Sequence, residues 1–583
     1  MKRIVVLALA VMLVLSMALV PASAQDEAPE GVWYGTWPYT LLPEHHLNGY
    51  AAGGLNTNLG NVFRGMVELT PAFYIYATNE WVPLLAESWG FSDDSSYYEL
   101  TLQEGLTWSN GSPINADDVI TTYALGQILG WSQFNFVESV EKVDDLTVNF
   151  NFIEGQASLL AERLILKEYI VATDTYGELA AEALALIEAG ADPEGDEWTA
   201  METTIQEFRP DELIVSGPYT YSLDDVGDTF MTLSWQPNSI FSDSVNFGEI
   251  VLWAGETESS TPLVLSGEIA HATNVYPPAT VQSFVDAGIE IVTIPRGYGP
   301  GLLFNHTIYP WNVVEVRQAM AYVIDRDQNA FLTNGLGATG TVYMAGILDS
   351  VVPTLLTDEA VESLNRYERN LEEAEALMEA AGFSRNADGI WEDADGVVAG
   401  GEYKFPAEFA DFAGASQDAI SQLNEFGFDI VARAIPWQEN AADLGEGEFE
   451  LTVWSWGGAQ PYAERNYFNP LTRWDDPGLQ IDLENYPYNG ETVNLFELII
   501  QSSAGLDVEA QRAAASEASM IINETMPYIP LNVIISAEPF NTNLISGLPE
   551  AGDPILSNPT GSDHFIILGI LQGTLSPGPE QSE

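Results

Sequence analysis

The sequence predicts an α/β protein with more than one hydrophobic core, and three observations carry that prediction. Within residues 82–119, an apolar/polar alternation over Tyr97–Leu102 has the two-residue period of a half-buried strand. Asn110-Gly111 then supplies a turn, and Asn115 with Asp117-Asp118 caps a helix that starts near Val119. The 583 residues are 46% hydrophobic, enough for large cores and too long for a single one, so two or three domains are expected.

The chain opens with the layout of a secretory signal peptide: Lys2-Arg3, an uncharged run over 4–20, and a small-x-small site ending at Ala24. That run is nearly long enough to remain as a membrane anchor; the Ala-Ser-Ala site favours cleavage and an extracytoplasmic address. With no cysteine, the chain has no disulfide, no thiolate metal ligand and no lipid-carrying cysteine. Removing 1–24 leaves 16 basic against 86 acidic residues, a net charge of -70, spread along the whole chain rather than held in a tail. Such a surface suits molar salt, where screening shrinks the range of repulsion to about 3 Å, and it makes nucleic acid and anionic membranes poor partners.

Further along, helices are expected over 117–131 and 156–168, and a hairpin over 140–152 around Asp144-Asp145. An Ala- and Glu-rich helical stretch over 176–208 breaks at Pro193 and Gly195. Gly297, Gly299 and Gly301 around Pro300 make a flexible, narrow crossing; their spacing is not that of a phosphate cradle and no lysine follows. Val316, Ala319, Met320 and Val323 recur at helical spacing in 314–324, with Arg317 and Asp325 expected to make local bonds. Helices also read over 370–382, 415–426 and 508–523. Neither His45-His46, whose side chains diverge on an extended chain, nor Asp388, Asp393 and Asp395, which lack EF-hand spacing, makes a metal site.

The order of residues adds to this. "LAESW", "SDD" and "LTLQEGLTWSNGSPINADDV" come first, then "VSGPY", "VLSGEIA", "VRQAMAYVIDR", "LEEAEALMEAAGF", "GEFELTVWSWGGAQPY" and "MPYIPL". Across 55–548 this series resembles the family 5 extracytoplasmic solute-binding proteins, the peptide, nickel and oligosaccharide receptors that feed ABC importers. The resemblance implies a two-lobed periplasmic binding protein type 2-like fold of the large, three-domain variety, with a central ligand cleft and a hinge. Lobe I would take 31–72, 209–298 and 532–573, an extra domain 73–208 would be inserted in it, and lobe II would take 299–531. Residues 574–583 read as a disordered tail. The lobes would hinge at Gly297, Gly299 and Gly301 and again near 530–533. It further implies a monomer that serves a permease and ATPase complex without chemistry or cofactor.

Five residues are candidates for the ligand site: Asn56, Arg64, Trp454, Trp456 and Tyr462. Arg64 stands where the family commonly carries an acid. Strand alternation puts Thr452, Trp454 and Trp456 on one face, either as an apolar platform for sugar rings or as core. Peptide receptors of the family resemble "GW..DY.DP" here, and aligning that tryptophan with Trp456 puts Ala459 in place of the aspartate that pairs with a peptide's amino end. An oligosaccharide is therefore favoured over an oligopeptide, because a buried ammonium without its carboxylate costs several kcal/mol. A secreted glycoside hydrolase remains the alternative from another class, since two carboxylates suffice for that reaction, although no G-x-S-x-G, H-E-x-x-H or P-loop occurs.

The charge makes a prediction of its own. The unfolding midpoint of the ligand-free mature chain should rise between 0.1 M and 2 M potassium chloride; a midpoint that stays put would show that repulsion does not limit stability.

Overall fold

The computed structural model describes residues 27–37, 45–51, 53–335, 338–458, 460, 462–472 and 478–581. The expected signal peptide at 1–24, and Ala459, lie outside the described residues. Among the described residues no helix is long and apolar enough to cross a membrane.

The 82–119 stretch folds as a strand, a turn and a capped helix. The Asn115 side chain accepts the Asp117 N–H at 2.8 Å while Asp118 accepts the Asn115 N–H at 2.9 Å, a reciprocal cap of about 1 kcal/mol that starts the helix Ala116–Ile128. Asp118 also accepts the Trp108 indole N–H at 3.1 Å and the Thr173 N–H at 2.8 Å. One carboxylate thus ties the turn to the starts of two helices, the second being Thr173–Glu188.

Three larger sheets organise the chain. The first orders Gly31–Thr36, Phe247–Trp253, Phe230–Trp235 and Tyr219–Thr220, with its first pair parallel. The inserted segment supplies an antiparallel sheet of Ala86–Phe91, Tyr97–Leu102, Thr147–Phe152 and Val137–Lys142. Side chains from these two sheets, such as Trp33 and Leu252 with Leu100 and Phe150, share one continuous core. A five-stranded sheet runs Asp429–Ile435, Gly400–Pro406, Leu451–Trp456, Gly299–Phe304 and Tyr528–Pro530. It is covered on both faces: Leu302, Phe304, Leu451 and Val453 enter one core, and Leu303, Trp454 and Trp456 the other. Leu451–Trp456 and Gly299–Phe304 are buried at every position and so have no exposed face, whereas the edge strand Asp429–Ile435 is mostly exposed.

The passages between the two halves lie side by side. The chain leaves Glu290–Pro295, crosses at 296–298 and enters Gly299–Phe304; it returns from Tyr528–Pro530 to Ile535–Phe540. Arg296 N–H donates to the Ile534 carbonyl at 3.0 Å, Ile534 N–H to Tyr298 at 3.0 Å, and Leu531 N–H to Pro300 at 3.1 Å. Gly297, at φ +71°, is the residue that turns in the crossing. Gly299 and Gly301, expected to share that flexibility, are instead fixed in a buried strand by pairing with Leu451–Trp456. Gly299 is needed for closeness: a Cβ there would lie 1.9 Å from the Asn532 carbonyl oxygen.

Two further expectations change. Of the tail expected to be disordered over 574–583, residues 574–581 are ordered: Ser576–Pro577 pairs with Ile545–Ser546, Leu575 is buried, and the Gln581 amide both accepts the Val32 N–H and donates to the Val32 carbonyl, while 582–583 lie outside the described residues. Their polar composition hid an order that rests on backbone pairing. Asp325 does bond locally, accepting the Gln328 N–H, but Arg317 reaches across the fold to the carbonyls of Trp311, Thr525 and Met526, closing the end of the helix Val508–Thr525.

Gly299→Ala should therefore lose about 1–3 kcal/mol by forcing two backbones apart. Gly301→Ala should cost far less, because its nearest contact would be an ordinary 3.4 Å to Trp456. Urea unfolding in 2 M potassium chloride separates the two; equal midpoints would refute the close approach.

Candidate ligand-binding cleft

A cavity of about 620 Å³ opens where the ends of several strands converge from both halves of the molecule. Trp37 follows Gly31–Thr36 and is pinned by its N–H to the Trp253 carbonyl at 2.9 Å; Glu256 follows Phe247–Trp253. Opposite them, Phe409 follows Gly400–Pro406, Trp437 follows Asp429–Ile435, and Trp454 lies near the end of Leu451–Trp456. Within each half these strands run parallel to one another, so the cavity sits outside carboxyl ends, where open α/β sheets characteristically hold ligands.

The lining alternates aromatic rings with planar polar groups. Phe409 and Trp437 stack at 6.1 Å between centroids, Phe412 meets Phe409 edge-on at 5.9 Å, and Trp454 meets Phe412 edge-on at 6.4 Å. Asn274 accepts the Thr36 hydroxyl at 3.1 Å and donates to the Gly255 carbonyl at 3.2 Å, so its amide is held in one orientation. Arg296 donates to the Tyr298 hydroxyl at 2.9 Å and to the Thr273 carbonyl. Glu256 and Asp411 face the cavity from opposite halves; burial raises the pKa of both, and the nearby Arg296 guanidinium draws each partly back. Flat apolar faces beside fixed amides, carboxyls and a guanidinium bind neutral, hydroxyl-rich rings.

A second chamber of about 370 Å³ adjoins the first at Asn61, which lines both. Its walls include Trp131, Arg163, Lys167, Glu168, Tyr169 and Tyr462. Lys167 is ion-paired with Asp563 and donates to Ser562 at 2.6 Å.

The five candidate residues separate. Trp454, 6% exposed, keeps an edge on the main cavity. Trp456 does not: it is 0% exposed and its indole N–H donates to the Asn532 carbonyl at 2.9 Å, so the platform expected of it is a core packing against the return passage. Tyr462 lines the second chamber, with the Arg163 guanidinium 5.7 Å from its ring and burial pushing its hydroxyl up to about 12. Arg64 lines neither cavity, because it is buried in a 2.7 Å pair with Glu68 one helical turn on, its guanidinium 4.1 Å from the Tyr169 ring. Asn56 lies in the helix Leu55–Phe63, and its side chain is outside the described residues. Sequence reasoning missed Trp37, Phe409 and Trp437; an aromatic one to three residues past a strand end was the available signal.

Away from the cleft, His271, Glu538 and His564 converge in the core, all fully buried. Both imidazole Nε2 atoms approach one Glu538 oxygen, at 2.7 and 3.0 Å, and the Thr560 hydroxyl donates to the other at 2.9 Å. The Ile566 N–H donates to His564 Nδ1 at 3.2 Å, so that ring carries its proton on Nε2, aimed at the carboxylate. A metal on Nε2 would move this proton to Nδ1, against another donor; the group is built as a hydrogen-bonded carboxylate. Burial alone would raise the Glu538 pKa, but the His564 and His271 donors overcome it and hold the group well below the usual carboxylate range.

The profile described as bacterial extracellular solute-binding proteins, family 5 Middle, matches residues 80–478. A periplasmic alpha-galactoside-binding protein of Rhizobium meliloti is 22% identical over 448 residues, 69% of this chain and 61% of that protein, so the match spans under two thirds of that relative. A periplasmic oligopeptide-binding protein of an oligopeptide ABC transporter from Thermotoga maritima has a crystal structure that superposes with a TM-score of 0.75 at 20% identity, covering 94% of this chain and 99% of that one. Its mannohexaose-bound crystal structure superposes at 0.70, also at 20% identity, covering 94% and 97%.

Because the Glu538 pKa is depressed on folding, its contribution to stability is full above the unfolded carboxylate value of about 4.3 and is lost as pH falls below it. Glu538→Gln should cost about 1–3 kcal/mol at pH 7, and the gap from wild type should narrow as pH drops below 5. Chemical unfolding at a series of pH values tests this; a gap independent of pH would mean the group is not ionised in the native state.

Proposed function

The chain belongs to family 5 of the bacterial extracellular solute-binding proteins, and from that premise we propose that it is an extracytoplasmic receptor which holds an oligosaccharide between two lobes and delivers it to an ABC importer. The observation that carries the ligand class is the lining of the main cavity, where Trp37, Phe409, Trp437 and Trp454 offer ring faces and edges among Asn274, Glu256, Asp411 and Arg296. Sugar rings have apolar faces and polar edges, which this arrangement matches atom type for atom type. The alpha-galactoside-binding relative and the mannohexaose-bound neighbour agree with it. Ala459, where the resemblance puts an aspartate for a peptide's amino end, speaks against a peptide held by that route.

Binding draws on both halves at once. Glu256, Asn274 and Trp37 come from the first sheet's side, and Phe409, Trp437 and Trp454 from the five-stranded sheet. A ligand that touches both makes more contacts when the lobes are closed than when they are apart, and that difference drives closure. The receptor works as a monomer with a permease and ATPase, and no bond is made or broken.

Titration of the mature protein with di- to pentasaccharides and with di- to pentapeptides should give saturable binding of the sugars, with no product on long incubation. Trp437→Ala should weaken sugar binding by about 2 kcal/mol, roughly 30-fold, as truncation of a central aromatic does. Tight peptide binding without a sugar response would overturn the ligand class, and released monosaccharide would turn the reading to a hydrolase.

A further inference from the structure

One charged group of the cleft has no role in that reading. Glu168 lines the second chamber, where its carboxyl accepts the Gln133 side-chain N–H at 3.0 Å and the Tyr169 backbone N–H at 3.2 Å. Among the described residues no lysine or arginine lies within ion-pair distance of it: Arg64 pairs with Glu68, Lys167 pairs with Asp563, and Arg163, which lines the same chamber, lies by the Tyr74 and Tyr462 rings. A carboxylate withdrawn from water without a cation is costly. The chamber's walls also carry Trp131, Tyr169 and Tyr462, the last two already facing the Arg64 and Arg163 guanidiniums.

We propose that Glu168 receives a primary ammonium carried by the bound oligomer, which makes the preferred ligand an amino sugar oligosaccharide whose amine-bearing unit enters the second chamber. The inference rests on the oligosaccharide reading above. Continuity supports it: Asn61 lines both cavities, Gly457 and Gly458 line the first while Gln460 and Tyr462 line the second, and Gly561 passes to Ser562 and Asp563 in the same way. One oligomer can therefore lie with neutral rings against Trp37, Phe409 and Trp437 and its amine against Glu168. Burial raises the Glu168 pKa to about 7, against the nearby Arg64 guanidinium, with Glu68 adding to the rise; the Tyr50 and Tyr123 hydroxyls are near enough to feel its charge. In the free receptor the carboxyl thus holds a proton at pH 6, and an arriving ammonium displaces that proton to solvent.

The test is calorimetric titration of the mature chain at pH 6 in 2 M potassium chloride. The probes are a glucosamine tetramer, its fully N-acetylated counterpart, and a tetrapeptide with a free or an acetylated amino end. The expected result is a glucosamine tetramer bound at least about tenfold more tightly than the acetylated one, as a charge-assisted hydrogen bond provides. Close to one proton should be released per ligand, read from the dependence of the heat on the buffer's ionisation enthalpy. Glu168→Gln should abolish both the preference and the proton release. The proton count in the wild type needs no variant, so a poorly folded Glu168→Gln would not shield the proposal. Equal affinity for the free and acetylated tetramers overturns the ammonium assignment and leaves the oligosaccharide reading standing. Discrimination seen only between the two peptides, and lost in Glu168→Gln, keeps the ammonium assignment and overturns the sugar.

Discussion

Everything in this molecule depends on two chain passages being able to touch. At Asn532 the return passage lies where a side chain on Gly299 would have to be, and the hydrogen bonds between Arg296, Tyr298, Ile534, Leu531 and Pro300 convert that approach into a short two-stranded ribbon. Asn532 is the fixed point. Its carbonyl accepts the Trp456 indole, its amide donates to Asn329 at 2.8 Å, and its side-chain oxygen accepts from Asn334 at 3.0 Å. The ribbon is thus bolted to the five-stranded sheet on one side. On the other it runs straight into Glu290–Pro295 and Ile535–Phe540, which pair with each other.

Arg296 gives this ribbon a second use. It sits in the outgoing passage, yet its side chain lines the main cavity and pulls on both Glu256 and Asp411. The two carboxyls belong to opposite halves, so the Arg296 guanidinium, in the passage between those halves, feels how far apart they are, and Arg465 lines the same cavity. Under the proposed closure, movement about the ribbon would change the electrostatics of the cleft directly, and a ligand that bridges the carboxyls would act back on the ribbon. Coupling between binding and closure then needs no relay through the cores.

How much of this was legible in the sequence follows from what kind of signal each part leaves. The reciprocal cap at Asn115 and Asp118 is local, and local hydrogen bonding is written in adjacent residues. The hairpin at 140–152 and the helices over 314–324 and 508–523 show their periods for the same reason. Strand alternation correctly put Trp454 and Trp456 on one face, but in a sheet covered on both sides a face says nothing about exposure, and Asn532 takes up the indole of one of them from 76 residues away. Arg64 was a different failure. Glu68 stands four residues on, a spacing that favours an ion pair in a helix, and that local partner outweighs any call from the cleft. Glu168 could not be found at all, because what singles it out is that Arg64 and Lys167 are occupied by other acids, Lys167 by one almost 400 positions distant.

The acidic surface and the aromatic lining of the main cavity are linked by the medium around them. The chain has only 18 basic residues, and several of them are held inside: Arg317 on three carbonyls at a helix end, Arg326 on the carbonyls of Ala321, Arg366, Tyr367 and Thr341. Used this way, arginine satisfies backbone groups that water cannot reach, and the acids outside are left to dissolved cations. In molar salt exposed ionic recognition contributes little, since attraction between charges fades within about 3 Å. Ring-on-ring contact is not screened, and burial of apolar surface is strengthened by excluded salts. A charged contact survives only when it is short and enclosed, as proposed for Glu168 in the lining of the second chamber.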